Sequence, residues 1–176
     1  LGIHNILSAV EQTASRLKSL RAVLMVSTDK ACAPANVYGM CKSISERIVS
    51  SFSRYENLSH IKFITTRYGN VLDSRGSIIP LFRNQIKNEA HLTVTHPEMT
   101  RFMMTLDDSV DLILTALKNG STGETWIPKI KAMKIIDLAN IFAKLHHKQV
   151  VISGIRPGEK MHEALVSRSE SIRTED

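Results

Sequence analysis

The chain has 176 residues, of which 43% are hydrophobic, 23% charged and 5% aromatic, and its formal net charge is +6. This length suits one globular domain of ordinary size, and the composition excludes a collagen, a coiled coil and a wholly disordered chain. No apolar run approaches the ~18 residues that cross a bilayer.

The positive charge favours anionic partners, among them nucleic acids, anionic lipids and phosphate-bearing metabolites. Basic residues form no run of five or more, and aromatic residues are too few for the stacking platforms that bind single-stranded nucleic acids, so we expect no nucleic-acid partner. Two cysteines, Cys32 and Cys41, indicate reduced thiols in a cytoplasmic protein. The chain begins at Leu1 inside a helical pattern and ends at Asp176 without a closing element, which indicates a fragment of a longer protein.

Helical periodicity and short apolar runs alternate along the chain. Apolar residues at spacings of three and four predict helices over about 1–19 and 37–55. Continuous apolar runs at 22–26 and 61–66 predict strands buried on both faces. The later part of the chain predicts helices over 77–88, 107–120 and 134–146, and strands over 91–95, 101–105, 124–128 and 149–153. This alternation predicts an α/β fold with a mostly parallel sheet, in which ligands bind beyond the carboxyl ends of the strands.

Tyr38 and Lys42 are four residues apart in the second predicted helix. Their side chains therefore share one face, with Cβ atoms roughly 5–6 Å apart. A lysine cation beside a phenol stabilises the phenolate, and such a tyrosine can exchange a proton with an alcohol during hydride transfer. The same spacing also arises by chance in many helices.

A polar segment, Ser27-Thr28-Asp29-Lys30, stands where the first predicted strand ends. It presents hydroxyl, carboxyl and amine groups side by side, shortly before the predicted helix of Tyr38. Threonine, aspartate and lysine are also common in turns, so a solvated turn with a salt bridge is an alternative interpretation.

A set of residues around this segment resembles the extended short-chain dehydrogenase/reductase superfamily. These residues are Ser-Thr-Asp-Lys-Ala at 27–31, Pro34, Asn36, Tyr38-Gly39 and Lys42. More narrowly, the chain is similar to the inverting UDP-N-acetylglucosamine 4,6-dehydratases of the polysaccharide-biosynthesis branch. The resemblance continues over nearly the whole chain, at 67–71, 74–77, 79–82, 94–102, 133–139 and 154–160. It departs from the family at Asp73, usually Gly, and at Cys41, usually Ser or Thr.

The resemblance implies a Rossmann-like doubly wound parallel sheet, of which this chain holds the later half, and a smaller C-terminal α/β substrate-binding domain. Residues 1–71 would form the later half of the NAD(P)-binding domain. Residues 72–176 would mainly bind the nucleotide sugar, with a segment near 99–118 returning to the Rossmann part. The Gly-rich turn that cradles the cofactor pyrophosphate in this family does not occur in the sequence.

The implied reaction oxidises a sugar C4 hydroxyl with NADP or NAD and eliminates water across C5 and C6. The hydride then returns to C6, and a proton adds to C5 from the other face, which inverts C5 and regenerates the oxidised cofactor. By resemblance, Tyr38 takes the C4 hydroxyl proton, and Lys42 holds the nicotinamide ribose. Lys30 is the base at C5, Asp29 is the acid at the departing C6 oxygen, and Thr28 orients the C4 oxygen. A lysine must be neutral to act as a base, so its site should favour that form.

The resemblance also implies binding residues. Tyr68 would join Tyr38 and Lys42 against the cofactor. The UDP-sugar would contact Asn70, Val71, Arg75, Arg101, Arg156 and Glu159. Arginine suits a diphosphate because its planar fork donates two parallel hydrogen bonds. Relatives form homo-oligomers, and we expect the same here.

Two other hypotheses remain open. A UDP-sugar 4-epimerase or a retaining dehydratase shares the fold, but a simple epimerase needs no base at C5, and retaining dehydratases commonly have Glu in place of Lys30. The second hypothesis is a catalytically incompetent fragment or a binding module, which the missing Gly-rich turn favours. We expect no metal site, because His146, His147 and His162 lack further ligands at metal-binding spacing.

Overall fold

The computed structural model describes residues 2–176. Its helices are α1 (Gly2–Thr13), α2 (Val37–Phe52), α3 (Ile78–Asn88), α4 (Leu106–Asn119), α5 (Ile135–Leu145) and α6 (Arg168–Ser171). Its strands are β1 (Ala22–Thr28), β2 (Lys62–Tyr68), β3 (Asn70–Val71), β4 (His91–Val94), β5 (Thr100–Met104), β6 (Thr125–Trp126), β7 (Ala132–Lys134) and β8 (Gln149–Ile152). Between residues 2 and 176, no helix has the length and apolar character that crossing a membrane requires.

The chain divides into two compact units. The first unit holds residues up to 68, 110–128 and 165–176, and the second unit holds 69–109 and 129–164. In the first unit, β2 pairs in parallel with β1 and β6. In the second unit, β3 pairs in parallel with β5, and β4 with β8. This combination of helices and parallel strands confirms the predicted α/β fold class.

The first unit is built on β1 and β2. Their seven residue pairs run in parallel register from Ala22 opposite Lys62 to Thr28 opposite Tyr68. The middle five residues of β2 are all buried, because both faces of the strand are covered, as the continuous apolar run predicted. Apolar side chains of α1, α2 and the strands form the core, which contains Leu7, Met25, Val49, Phe52, Leu58, Ile61 and Phe63.

The second unit packs α3 and α5 against short strands. Its core contains Phe82, Leu92, Val94, Met99, Ile135, Ala139 and Ala143. The ring of Phe82 in α3 lies 5.7 Å from that of Phe142 in α5, centroid to centroid. β7 pairs with β5 in antiparallel fashion, so this unit combines both strand directions.

The sequence predictions differ from the structure mainly at the ends of elements. α1 ends at Thr13 instead of near residue 19, and its first predicted residue, Leu1, lies outside the described residues. Thr13 Oγ1 donates to Ala9 O at 2.6 Å, and the chain then tightens, with Arg16 N donating to Thr13 O at 2.8 Å. α2 ends three residues early. The strands β3 and β7 and the helix α6 were not predicted, because two to four residues are too few to show a period.

A buried arginine joins three segments of the first unit. The side chain of Arg67, in β2, is 3% exposed. Its Nε and Nη2 donate to the two carboxylate oxygens of Glu46 in α2, at 3.0 and 2.6 Å. Its Nη1 donates to Leu165 O at 2.8 Å and to Glu170 Oε2 at 3.0 Å, and Nη2 also donates to Glu170 Oε1 at 2.9 Å. All five N–H donors of the guanidinium therefore have acceptors, which a buried charge requires.

This network keeps Glu170 ionised. The hydrogen bonds from Arg67, together with the Ser167 backbone N–H, lower the pKa of Glu170 to about 2, although partial burial opposes the shift. Burial on its own lowers the pKa of Arg67, but the hydrogen bonds and charges of Glu170 and Glu46 outweigh it, so that the pKa is raised. The C-terminal segment is therefore attached to the first unit through a pair that stays charged at ordinary pH.

We predict that Glu170→Gln destabilises the protein in a pH-dependent way. A group with a lowered pKa stabilises the fold above its unfolded pKa of about 4.5 and loses that effect as the pH falls towards 2. The variant should lose roughly 1.5–3 kcal/mol of unfolding free energy at pH 7, the range for hydrogen bonds to charged groups. The measurement is denaturant unfolding at several pH values.

The loss should shrink between pH 4.5 and 2, where the parent itself becomes protonated. Glu175→Gln, an exposed change in the same segment, is the matched control and should be neutral at every pH. A loss of equal size at pH 7 and pH 2.5 would contradict the role given to the Glu170 charge.

Candidate active site

The first cluster of polar residues lies where β1 ends. Thr28, the last residue of β1, caps a single 3-10 turn at Asp29–Ala31. Its Oγ1 donates to Asp29 Oδ1 at 2.9 Å and accepts from Lys30 N at 3.4 Å. Lys30 Nζ donates to the same Asp29 Oδ1 at 3.0 Å. One carboxylate oxygen therefore binds both a hydroxyl and an amine.

The two members of this ion pair differ in their access to solvent. The side chain of Asp29 is fully buried, whereas that of Lys30 is 28% exposed. Asp29 is therefore not part of a solvated turn. Its second oxygen, Oδ2, is buried and has no hydrogen-bond partner among residues 2–176. Such an acceptor is costly to leave unpaired.

The second group of predicted residues lies at the start of α2. Asn36 Oδ1 caps this helix by accepting from Gly39 N at 2.9 Å. Tyr38 lies in the first turn and is 55% exposed. Lys42, one turn later, donates from Nζ to Val26 O in β1 at 3.1 Å. This bond holds α2 against β1 at Val26, two residues before Thr28, the residue that caps the turn at 29–31 (the polar turn).

Gly39 allows α2 to approach the polar turn closely. A Cβ at this position would lie 2.3 Å from Lys30 O and 3.2 Å from Pro34 Cβ. The first of these distances is far below any contact between non-bonded atoms. A larger residue would therefore separate the helix of Tyr38 from the turn, so close contact between them depends on this glycine.

An apolar groove of about 430 Å³ runs beside Tyr38 and Lys42 in the first unit. Apolar side chains of α1 and β1 supply most of its surface, and α2 supplies the polar groups. Its lining residues are Gly2, Ile3, Ile6, Met25, Tyr38, Cys41, Lys42 and Ser45. A phenol and an ammonium beside an apolar surface are donors that suit a ribose attached to a flat ring.

A separate cavity, of about 160 Å³, lies within the second unit. It brings together four of the six residues predicted to hold the nucleotide sugar, from β3, β5 and the loop after β8. These four are Asn70, Arg101, Arg156 and Glu159. The rest of the lining is threonine or apolar: Ile78, Leu81, Thr93, Val94, Thr95, Met99, Met103 and Ile135.

Glu159 organises the polar side of this cavity. Its Oε1 accepts from Thr95 Oγ1 at 3.3 Å and lies 3.6 Å from Arg101 Nη2. Its Oε2 accepts from Arg156 N at 3.3 Å. Arg101 Nη1 donates to two backbone carbonyls, at 2.7 and 3.2 Å. The guanidinium of Arg101 is thus held by the protein, and it in turn holds Glu159.

Three predicted residues lie elsewhere. Arg75 is exposed in the loop before α3, and Val71 is half-buried in β3; neither lines the cavity of the second unit. Tyr68 ends β2 opposite Thr28 in the parallel register. Within the described part of the chain, no three His, Cys, Asp or Glu residues gather where they could hold a metal ion.

Sequence reasoning assigned no role to Glu46, Gly39 or Thr95. Glu46 did carry a signal, because it follows Tyr38 and Lys42 at the same four-residue spacing. A glycine in the first turn of a helix was a second signal, since glycine weakens helices unless close packing needs it. Nothing in the sequence around Thr95 pointed to its hydrogen bond with a residue 64 positions later.

Comparison with known proteins places the chain in a family. Residues 2–176 match the model of a family described as polysaccharide biosynthesis protein. The chain is 40% identical over 178 residues to a UDP-glucose 4-epimerase of Rickettsia canadensis (strain McKiel), an alignment that covers all of this chain and 51% of that protein. The chain therefore spans about half the length of the curated relatives it matches.

Solved structures agree with this assignment. Pen from Bacillus thuringiensis is 36% identical, with a TM-score of 0.87 over 97% of this chain and 52% of that chain. DesIV, a dTDP-glucose 4,6-dehydratase from Streptomyces venezuelae with NAD and TYD bound, is 18% identical and has a TM-score of 0.79 over 97% of this chain and 57% of that one, which shows the shared fold. The chain thus belongs to the polysaccharide biosynthesis protein family, within the dehydratase and epimerase branch of the extended short-chain dehydrogenase/reductase superfamily.

Proposed function

We propose that this protein is a 4,6-dehydratase that acts on UDP-N-acetylglucosamine, inverts C5 and supplies a UDP-4-keto-6-deoxy sugar for surface polysaccharide. The observation that carries the proposal is the 3.0 Å contact between Lys30 Nζ and Asp29 Oδ1, at the carboxyl end of β1. Dehydration across C5 and C6 needs a base and an acid at neighbouring carbons. An amine and a carboxyl group that share a hydrogen bond supply both.

In this proposal, the contact between Lys30 and Asp29 determines which group gives and which group takes each proton during the elimination. A proton first moves from Lys30 to Asp29 along their hydrogen bond. The ion pair thereby becomes a neutral amine and a carboxylic acid. Lys30 then takes the C5 proton, the C6–O bond breaks, and the departing hydroxide takes the proton of Asp29 and leaves as water. The pair returns to its charged form.

The chemistry that a bound nicotinamide cofactor, NADP or NAD, supplies here is reversible hydride transfer. The groups on α2 fit its ribose: the Tyr38 hydroxyl is exposed, and the Lys42 ammonium has three N–H donors, of which Val26 O takes one. In the proposed reaction Tyr38 accepts the C4 hydroxyl proton. Thr28 orients the C4 oxygen, and Tyr68 contacts the nicotinamide.

The nucleotide end of the substrate belongs, in this proposal, to the second unit. Asn70, Arg156 and Glu159 line its cavity, and Arg101 holds Glu159 in place. Arg75 and Val71 complete the proposed set. A UDP group is doubly anionic, which suits a chain with a net charge of +6. We assign catalysis to the first unit and nucleotide-sugar binding to the second, in a cytoplasmic homo-oligomer.

A UDP-sugar 4-epimerase is the second candidate, favoured by the similarity of the chain to the UDP-glucose 4-epimerase of Rickettsia canadensis. An epimerase needs Tyr38 and the cofactor but neither a base at C5 nor an acid at C6. Asp29 and Lys30 therefore distinguish the two reactions. Under the epimerase hypothesis, their contact would only stabilise the turn.

One incubation separates these functions. The natural full-length protein is mixed with UDP-N-acetylglucosamine and NADP or NAD in deuterated water, and the sugar is followed by NMR. Deuterium at C5 with loss of the C6 hydroxyl supports the dehydratase. A C4 epimer that keeps its C6 hydroxyl and its C5 proton identifies the epimerase. Binding of UDP by calorimetry without any turnover identifies a binding module.

We predict that Lys30→Met nearly abolishes dehydration. Methionine keeps a long flexible side chain but removes the amine, and a missing general base typically costs about 10²–10⁴ in rate. Formation of the 4-keto-6-deoxy sugar and entry of deuterium at C5 should fall in parallel. Both are measured by NMR in deuterated water.

The control for this variant is Lys118→Met, which removes an exposed lysine of α4. It should keep the parental rate. If Lys30→Met makes the 4-keto-6-deoxy product at close to the parental rate, Lys30 is not the base, and either another group removes the C5 proton or the chain is an epimerase.

A second prediction concerns the cavity of the second unit. Glu159→Gln removes the charge that binds Thr95, Arg101 and the Arg156 backbone. Hydrogen bonds to charged groups contribute roughly 1.5–3 kcal/mol, so the Kd for UDP should rise about tenfold or more. Calorimetry with UDP measures it. Glu89→Gln, at an exposed position of the same unit, should leave the Kd unchanged. Equal affinity in both variants would remove Glu159 from the nucleotide site.

A further inference from the structure

Glu46 follows Tyr38 and Lys42 along one face of α2. The three residues are four positions apart, so they lie on one face of the helix, each about one turn after the last. Lys42 Nζ donates to Val26 O at 3.1 Å, and Glu46 Oε1 accepts from Ser27 Oγ at 2.5 Å. Two consecutive residues of β1 therefore hold two consecutive turns of α2.

Glu46 is itself fixed from the neighbouring strand. Arg67 stands opposite Ser27 in the parallel register of β1 and β2. It donates to both carboxylate oxygens of Glu46 and, on its other side, to both carboxylate oxygens of Glu170. The Glu46 side chain is only 9% exposed. A bidentate charged pair at this depth fixes both direction and distance, so Glu46 has no alternative position towards water.

The contacts of Glu46 lead directly to the polar turn. Ser27, its partner on β1, is the residue before Thr28, and the turn of Asp29 and Lys30 follows at once. At the other end of the helix face, the absence of a side chain at Gly39 brings α2 against Lys30 O. If α2 shifted slightly along β1, its backbone at Gly39 would collide with the backbone of Lys30. No flexible side chain lies between them to absorb the shift.

We propose that Glu46 is a positioning residue for the reaction. It fixes the position of α2 along β1 and the rotation of α2 about its own axis. In this way it places Tyr38 and Lys42 relative to the turn at 28–30. Arg67 fixes Glu46 in that role. The inference rests on the proposed function for its effect on rate, whereas the geometry that it predicts is independent of the reaction.

The first test measures kinetics in the full-length protein. Glu46→Gln keeps an oxygen for Ser27 but removes the charge that Arg67 requires. The kcat should fall about tenfold or more, because a misplacement of about 1 Å can cost up to 10² in rate. The KM for the nucleotide sugar should stay within about twofold, since Glu46 does not touch the substrate. The matched control is Glu56→Gln, which changes an exposed glutamate of the same unit.

A double-mutant cycle distinguishes positioning from general stability. If Glu46 acts by placing Tyr38 and Lys42, adding Glu46→Gln to a variant that carries both Tyr38→Phe and Lys42→Met should lower the residual kcat by less than about twofold. A merely structural role would reduce kcat by the same factor in both backgrounds, and that result overturns the proposal. A kcat of Glu46→Gln within twofold of the parent also overturns it.

Hydrogen exchange tests the geometry without any substrate. Under native conditions, Glu46→Gln should speed amide exchange in 27–32 and 37–42 relative to Glu56→Gln, while peptides of the second unit keep the parental rate. If the parent turns over no nucleotide sugar, the proposed function has failed, and this measurement alone decides the positioning role. Unchanged exchange in both segments overturns it.

A milder variant covers the case in which Glu46→Gln does not fold. Ser27→Ala removes one hydrogen bond and leaves the Arg67 pair intact. Its kcat should fall about two- to fivefold, the equivalent of one ordinary hydrogen bond, with an unchanged KM. Ser51→Ala, at an exposed position near the end of α2, is the control. Equal kcat values in these two variants overturn the proposal.

Discussion

The first unit is organised around the need to satisfy one buried guanidinium. Arg67 cannot lie in the middle of the unit unless acceptors surround it, because an isolated buried charge is very costly. Glu46 supplies two acceptors from α2, and Glu170 and Leu165 O supply three from the C-terminal segment. Segments 21 and 103 residues away in sequence must therefore assemble around the same strand. Loss of either carboxylate would leave the Arg67 charge under-compensated.

The hydrogen bonds of Arg67 are connected to the candidate active site through the pairing of β1 and β2. Parallel pairing puts Ser27 opposite Arg67, so the arginine's carboxylate partner also binds the residue that precedes the polar turn. The same helix carries Tyr38 and Lys42. A structural ion pair and the residues to which we assign catalysis thus lie along the same strand and the same face of α2. Positions along the chain that seem unrelated are connected by only two or three hydrogen bonds.

The sequence was sufficient for features that depend on local patterns. Period 3.6 and continuous apolar runs located the long helices and the buried strands, and four-residue spacing placed Tyr38 and Lys42 on one face. Pairings between distant residues could not be predicted, because a single sequence does not show which of several glutamates meets Arg67. For the same reason Thr95 was missed, although Glu159 was singled out. β3 and β7 have two and three residues, and their positions depend on partners instead of on local period.

Two buried ionisable side chains of the first unit, Arg67 and Asp29, differ in how completely they are hydrogen-bonded. Both side chains are buried. All five N–H donors of Arg67 have acceptors, whereas Asp29 Oδ2 has no partner among residues 2–176. An unsatisfied buried acceptor costs roughly 1–3 kcal/mol, and the buried hydroxyl of Thr66 in the same unit is likewise without a partner among residues 2–176. Under the proposed function, in which Asp29 is the acid at C6, a substrate group would take the place of the missing partner of Asp29. The two side chains lie in neighbouring segments, because Arg67 stands opposite Ser27 in the parallel register and Asp29 follows Ser27 by two residues.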